Sequence, residues 1–211
     1  RYGFGDIWQR PALVRGLENH LADMIENPEW VHYLSDIFTK FYIEDYKRAW
    51  EASRGQIDIF LVISDLGTQR GPLISVGMFE QFLAPYLSKL GELIHKFGAK
   101  LMFHSCGDIS GFIPAIIGCG VDIINPVQPA GSGMSPESLA KFSGRICFHG
   151  GMDVQQLLPF GTADEIQSEA RRYAEAFKTG YILCPAHLFQ PDTPPENIVA
   201  LYRAFDSAAK Q

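Results

Sequence analysis

Two hydrophobic rhythms alternate along the chain, one with helical spacing and one made of short, nearly continuous apolar runs. Leu13, Leu17, Leu21, Met24 and Ile25 recur at helical spacing and predict an amphipathic helix over Pro11 to Glu26. Asn27 and Pro28 form an N-cap and first-turn pair for a second helix to about Ala52, with Val31, Leu34, Ile37, Phe38, Phe41 and Ile43 inward. The run Asp58-Ile-Phe-Leu-Val-Ile-Ser-Asp65 then reads as a strand buried on both faces, as in a parallel sheet. A helix from about Met78 to Phe97 leads to a second strand, Ala99 to His104. Ile109 to Gly118 and Ser135 to Phe142 read as short helices flanking a third strand at Val121 to Asn125. Arg145 to His149 and Tyr181 to Cys184 are the fourth and fifth strands. Thr162-Ala-Asp-Glu165 is a capping box opening a helix to Phe177, and Thr193-Pro-Pro-Glu196 opens another to about Ala209.

Strands alternating with helices are the pattern of repeated βα units and a parallel sheet. The fold class expected is α/β, with residues 1–211 forming a single domain. Polar residues gather just past the strand ends: Asp65 and Gln69; His104, Cys106 and Asp108; Asn125 and Gln128; His149 and Asp153; Cys184 and His187. In a (β/α)₈ TIM barrel these ends share one face, where catalysis sits. A barrel needs eight strands and the pattern marks about five of the eight, so either earlier strands precede Arg1 or the sheet is open. The opening Arg1-Tyr-Gly-Phe-Gly-Asp-Ile-Trp8 carries aromatic residues without a marked strand, which fits a chain that begins part-way through a larger protein.

Composition narrows the partners more than the fold. With 46% hydrophobic and 20% charged residues the chain is an ordinary globular sequence. A formal charge of −6 and no Lys/Arg cluster argue against nucleic acid or an anionic membrane surface. No apolar run approaches the roughly 20 residues that span a bilayer. Cys106, Cys119, Cys147 and Cys184 lie in apolar or strand-like settings without a close-spaced disulfide framework, which suits a reducing, cytoplasmic setting.

The sharpest chemistry is at His104-Ser-Cys-Gly107. Residues two apart on a strand project to the same side, so the His104 imidazole and the Cys106 sulfur aim together, and both are favoured zinc donors. Two donors do not complete a metal site, and a packed strand end without metal is the bland alternative. Asp65 ends an apolar strand and needs a partner, for which Arg70 is a candidate. Gln128 and Asp153 suit substrate contacts, against a loop hydrogen bond and helix capping. Cys119 and Cys147 suit small core residues, and His20, His32 and His95 suit solvent-facing helix positions.

Several motifs in order carry a resemblance: Ser64-Asp-Leu-Gly-Thr-Gln-Arg-Gly-Pro-Leu-Ile-Ser75, Phe103-His-Ser-Cys-Gly107, Gly120-Val-Asp-Ile-Ile-Asn-Pro-Val-Gln128, Gly150-Gly-Met-Asp153, and Pro185-Ala-His187 followed by Pro194-Pro-Glu-Asn197. Together they resemble the uroporphyrinogen decarboxylase superfamily over nearly the whole chain, corresponding to the carboxy-terminal part of its (β/α)₈ barrel. The resemblance implies one of two chemistries. True decarboxylases remove carboxylate from a tetrapyrrole without metal, and their hallmark Arg and Asp residues belong to barrel segments this chain lacks. The other branch uses zinc to move a methyl group between a corrinoid protein and a thiol or similar acceptor, and its His-x-Cys-Gly signature matches His104 to Gly107. Its third zinc ligand is a cysteine at the position of His187, with Cys184 as a substitute three residues earlier. Decarboxylases also carry a histidine there, contacting substrate carboxylates. The resemblance therefore implies zinc on His104, Cys106 and His187 and a corrinoid-protein partner; the positions just past strand ends add Asp65 and Asp153 as catalytic residues that orient the acceptor, with substrate contacts from Gln69, Gln128 and His149. A tetrapyrrole decarboxylase and a non-catalytic tetrapyrrole- or corrinoid-binding module are the alternatives.

Overall fold

The computed structural model describes residues 1–129 and 133–208, with side chains through residue 204. The chain forms two compact units, one of residues 1–66, 72–105 and 111–123, the other of residues 67–71, 106–110 and 124–211.

In the first unit three parallel strands lie in the order β1 (Tyr2–Gly5), β2 (Ile59–Ile63) and β3 (Lys100–His104). The apolar pattern had marked β2 and β3 but not β1, because β1 offers only Tyr2 and Phe4, separated by glycine. What holds β1 is tertiary. The hydroxyl of fully buried Tyr46 accepts the Gly5 N–H at 3.1 Å and donates to the Leu61 carbonyl at 2.7 Å. A Cβ on Gly5 would lie 2.2 Å from that hydroxyl, so only glycine admits the bridge. Tyr46→Phe removes both hydrogen bonds while keeping the ring. We expect it to cost about 1–3 kcal/mol, read as a lower urea midpoint with an unchanged m-value.

The expected helix over Pro11–Glu26 is two helices, α1 (Gln9–Arg15) and α2 (Leu17–Glu26), broken at Gly16 with φ 83°. Helix α3 (Pro28–Ala52) follows, but Asn27 does not cap it with its side chain: that amide donates to Asp23 instead. The expected Met78–Phe97 helix is also two, α4 (Val76–Phe82), capped by Ser75, and α5 (Ala84–Lys96), with Pro85 in its first turn. Helix α6 (Ile113–Gly118) completes the unit. The three helical histidines expected in solvent all have protein partners. His20 is buried edge-on against Trp8, and burial pushes its imidazole pKa down. His32 meets the Tyr86 hydroxyl at 3.0 Å, and His95 meets Asp122 at 2.8 Å.

The second unit has strands β4 (Ile123–Val127), β5 (Cys147–Met152) and β6 (Tyr181–Pro185) in that order, with β5 and β6 parallel from Phe148↔Tyr181 to Met152↔Pro185. Helices α7 (Pro136–Leu139), α8 (Leu157–Phe160), α9 (Ala163–Phe177) and α10 (Pro195–Ala208) accompany them. Phe148 stacks on Phe177 of α9 at 4.4 Å, and Leu183 packs on a core that includes Ile166, Ala170 and Leu201. Because strand residues alternate, His149 and Cys184 face the other side of the sheet. The Thr162–Glu165 capping box forms as expected. The second expected box does not: the Thr193 hydroxyl is buried and makes no hydrogen bond, while Asn197 bridges the carbonyls of Leu158 and Gly161 at 2.9 Å each. Among the described residues no helix is long and apolar enough to cross a membrane.

Candidate metal centre and its pocket

The strand ends gather three different donors. Asp65, His104 and Cys106 each offer one ligand atom, and these atoms all lie within 4.8 Å of one another, each residue being partly buried. The His104 Nε2 to Asp65 Oδ1 distance is 3.6 Å, long for a hydrogen bond. Zinc bonds of about 2.0–2.2 Å to nitrogen and oxygen place neighbouring tetrahedral ligands about 3.3–3.6 Å apart. The Asp65 oxygen and His104 nitrogen thus have the separation of zinc ligands, and the Cys106 sulfur, a third favoured zinc donor, lies within 4.8 Å of both. The other carboxylate oxygen of Asp65 accepts the Gln9 side-chain N–H at 2.9 Å, the kind of outer contact that orients a ligating carboxylate. Asp65, expected to orient substrate, thus sits with the donor pair. Its partners include Gln9 and His104; Gln9 lies 56 positions away in sequence, beyond the reach of any local pattern.

Cys106 is aimed by the turn that follows it. The Gly107 N–H donates to the Gln128 side-chain oxygen at 2.8 Å, and the Asp108 N–H donates to the Thr68 carbonyl at 3.0 Å. The Asp108 carboxylate in turn accepts the N–H groups of Ser110 and Gly133. Gly107 has φ 78°, and a Cβ there would lie 2.4 Å from the Gly67 carbonyl carbon. Two glycine-containing backbones touch, and Gln128 makes the loop hydrogen bond that was the bland reading of its role.

Cys106 also lines a pocket of about 490 Å³ in the second unit, together with Gln128, Asp153, Val154, Gln155, Ala186, His187, Gln190 and Asp192. Asp153 accepts the backbone N–H groups of Gln155, Gln156 and Leu157, so it does cap the following turn while presenting its carboxylate to the pocket. His187 is exposed at the pocket wall. The Gln69 side chain reaches Gln155 at 3.4 Å.

A separate cluster lies on the sheet face away from α9. His149 Nδ1 contacts the Asn125 amide nitrogen at 2.6 Å and Cys184 Sγ at 3.3 Å. Cys184 Sγ also reaches the Pro185 carbonyl at 3.0 Å. Three strand neighbours thus meet, a grouping visible in sequence only as polar residues near strand ends.

Comparison with known proteins agrees with this architecture. Residues 11–208 match the family model for uroporphyrinogen decarboxylase (URO-D). A methyltransferase from Methanosarcina mazei superposes with a TM-score of 0.73 at 24% identity, covering 93% of this chain and 56% of that protein. A dihydropteroate synthase from Xanthomonas albilineans, with 4-aminobenzoic acid bound, gives a TM-score of 0.51 at 12% identity over 83% of this chain and 62% of its own. At such identities both likenesses speak to fold alone, and this chain spans little more than half of the first. The search of curated proteins returned no match. The architecture is α/β with parallel strands, part of a (β/α)₈ barrel, and with nearly its whole length matched the chain belongs to the uroporphyrinogen decarboxylase family.

Proposed function

We propose that this chain carries the zinc-holding part of a methyltransferase that moves a methyl group from a corrinoid protein to a small thiol. The observation that carries the reading is the Asp65, His104 and Cys106 donor set, which suits zinc in spacing and chemistry. Cys106 would serve as a thiolate and His104 as a neutral imidazole, with Asp65 as the third donor; His187 then belongs to the acceptor pocket, and Cys184 to the His149 cluster. Bound zinc supplies positive charge that keeps an acceptor sulfur deprotonated near neutral pH. The hydrogen bonds of Asp153 to the Gln155 N–H and of Gln128 to the Gly107 turn would keep the pocket wall in place for that acceptor. Such a transfer would balance without an outside oxidant or reductant, since the acceptor thiolate would supply the electron pair of the new S–C bond and the methyl donor would keep the pair of the bond that breaks. The acidic, amide-rich pocket supports this over a decarboxylase, whose polycarboxylate substrate calls for cationic contacts.

The test combines metal analysis with turnover. Protein purified in zinc-replete buffer is expected to retain about one equivalent of zinc and to convert methylcobalamin plus a thiol into the methyl thioether, followed by mass spectrometry. Protein that holds no zinc, or holds it without methylating any thiol, overturns the proposal. Release of carbon dioxide from a carboxylated tetrapyrrole by metal-free protein supports the decarboxylase in its place.

A further inference from the structure

We infer that the methyl acceptor is a small thiol whose tail carries a positive charge, such as an ammonium group. The inference rests on the proposed methyl transfer and adds the chemistry of the acceptor's tail. A cavity of about 490 Å³ is the size that small-molecule sites commonly have. Its lining includes Cys106, of the donor set, the carboxylates of Asp153 and Asp192 and the amides of Gln128, Gln155 and Gln190. His187 is its one other ionisable side chain, and the described lining contains no lysine or arginine.

Charge decides what such a wall accepts. An anionic tail, a sulfonate or carboxylate, would meet two like charges and no cation; a neutral tail would meet hydrogen-bonding groups only. An ammonium would meet carboxylates of opposite charge. At contact distances the attraction between unit charges is worth about tenfold in affinity even with bulk water's screening, and more as water is excluded. Asp153 is half-buried and tied to the backbone N–H groups of Gln155, Gln156 and Leu157, so its carboxylate is fixed in direction. Asp192 is exposed and adds a second negative charge to the lining.

The experiment uses three thiols of equal chain length and different tail charge: 2-aminoethanethiol, 2-mercaptoethanol and 2-mercaptoethanesulfonate. Each is given to zinc-replete protein with methylcobalamin at matched thiolate concentration. The expected order of kcat/KM is ammonium above hydroxyl above sulfonate, about tenfold from first to last, carried by KM and reduced by added salt. Asp192→Asn is expected to shrink that ratio to about threefold. A sulfonate thiol that matches or exceeds the ammonium thiol overturns the inference and leaves methyl transfer standing. So does a ratio that Asp192→Asn does not change. Failure of all three thiols overturns the proposed function itself, and the inference with it.

Discussion

Cys106→Ala is expected to lower zinc affinity by more than about 100-fold and to abolish methyl transfer. With the thiolate of the donor set removed, the His104 nitrogen and the Asp65 oxygen are the donors left within reach of a common ion among the described residues. Loss of a mere outer partner of a metal site costs roughly 10–100-fold, so loss of a direct ligand costs at least the upper end of that range. His104→Ala is expected to behave alike. Asp65→Ala and His187→Ala then decide the third ligand. If the cluster is the site, Asp65→Ala falls with Cys106→Ala, and His187→Ala keeps its zinc while losing acceptor affinity. Gln9→Ala gives a graded control, about tenfold weaker in zinc, because its amide orients the Asp65 carboxylate at 2.9 Å. Titration against a competing zinc chelator measures all five. An unchanged affinity in Cys106→Ala would remove the donor set from consideration.

Gly107→Ala is expected to destabilise the fold by more than about 3 kcal/mol, a drop in melting temperature on the order of 10 °C for a chain of this size. Two effects add. At φ 78° an alanine occupies the left-handed region, at about 1–2 kcal/mol. Its Cβ would also stand 2.4 Å from the Gly67 carbonyl carbon and 2.6 Å from the Thr68 nitrogen, both backbone atoms that cannot swing aside. Gly98→Ala separates the two effects, since Gly98 has φ 74° and nothing within 4 Å of the added Cβ. The difference between the two variants in thermal unfolding reports the close approach by itself. Equal shifts would mean that the Gly67 contact imposes no constraint. Because the Gly107 N–H also holds Gln128, the same substitution is expected to weaken zinc binding.

The helix breaks show why part of the fold escaped a reading of periodicity. Leu13, Leu17, Leu21 and Met24 keep helical spacing across Gly16, so the rhythm continues through a residue whose φ of 83° ends one helix and starts another. Likewise Thr193 and Glu196 have the spacing of a capping box, yet the Thr193 hydroxyl is buried without a hydrogen bond, and the side-chain amide of Asn197 instead ties the helix start to the carbonyls of Leu158 and Gly161. Thr162 and Glu165, with the same spacing and an exposed setting, do form their box. Local pattern is obeyed where nothing tertiary competes with it.

Sequence by itself determined the parallel α/β architecture, because strands buried on both faces must be nearly all apolar and the helices between them must be amphipathic. It also placed His104 and Cys106 on one side of a strand end, which follows from the two-residue repeat alone. Tertiary structure decided what joins them. Asp65 comes from a different strand and is positioned by Gln9; β1 exists because the Tyr46 hydroxyl bridges Gly5 and Leu61; the acidic pocket gathers Cys106, Asp153 and Asp192 from three loops. Such meetings depend on which strands lie side by side and on which buried polar groups find partners, and neither is encoded within any one window of the chain.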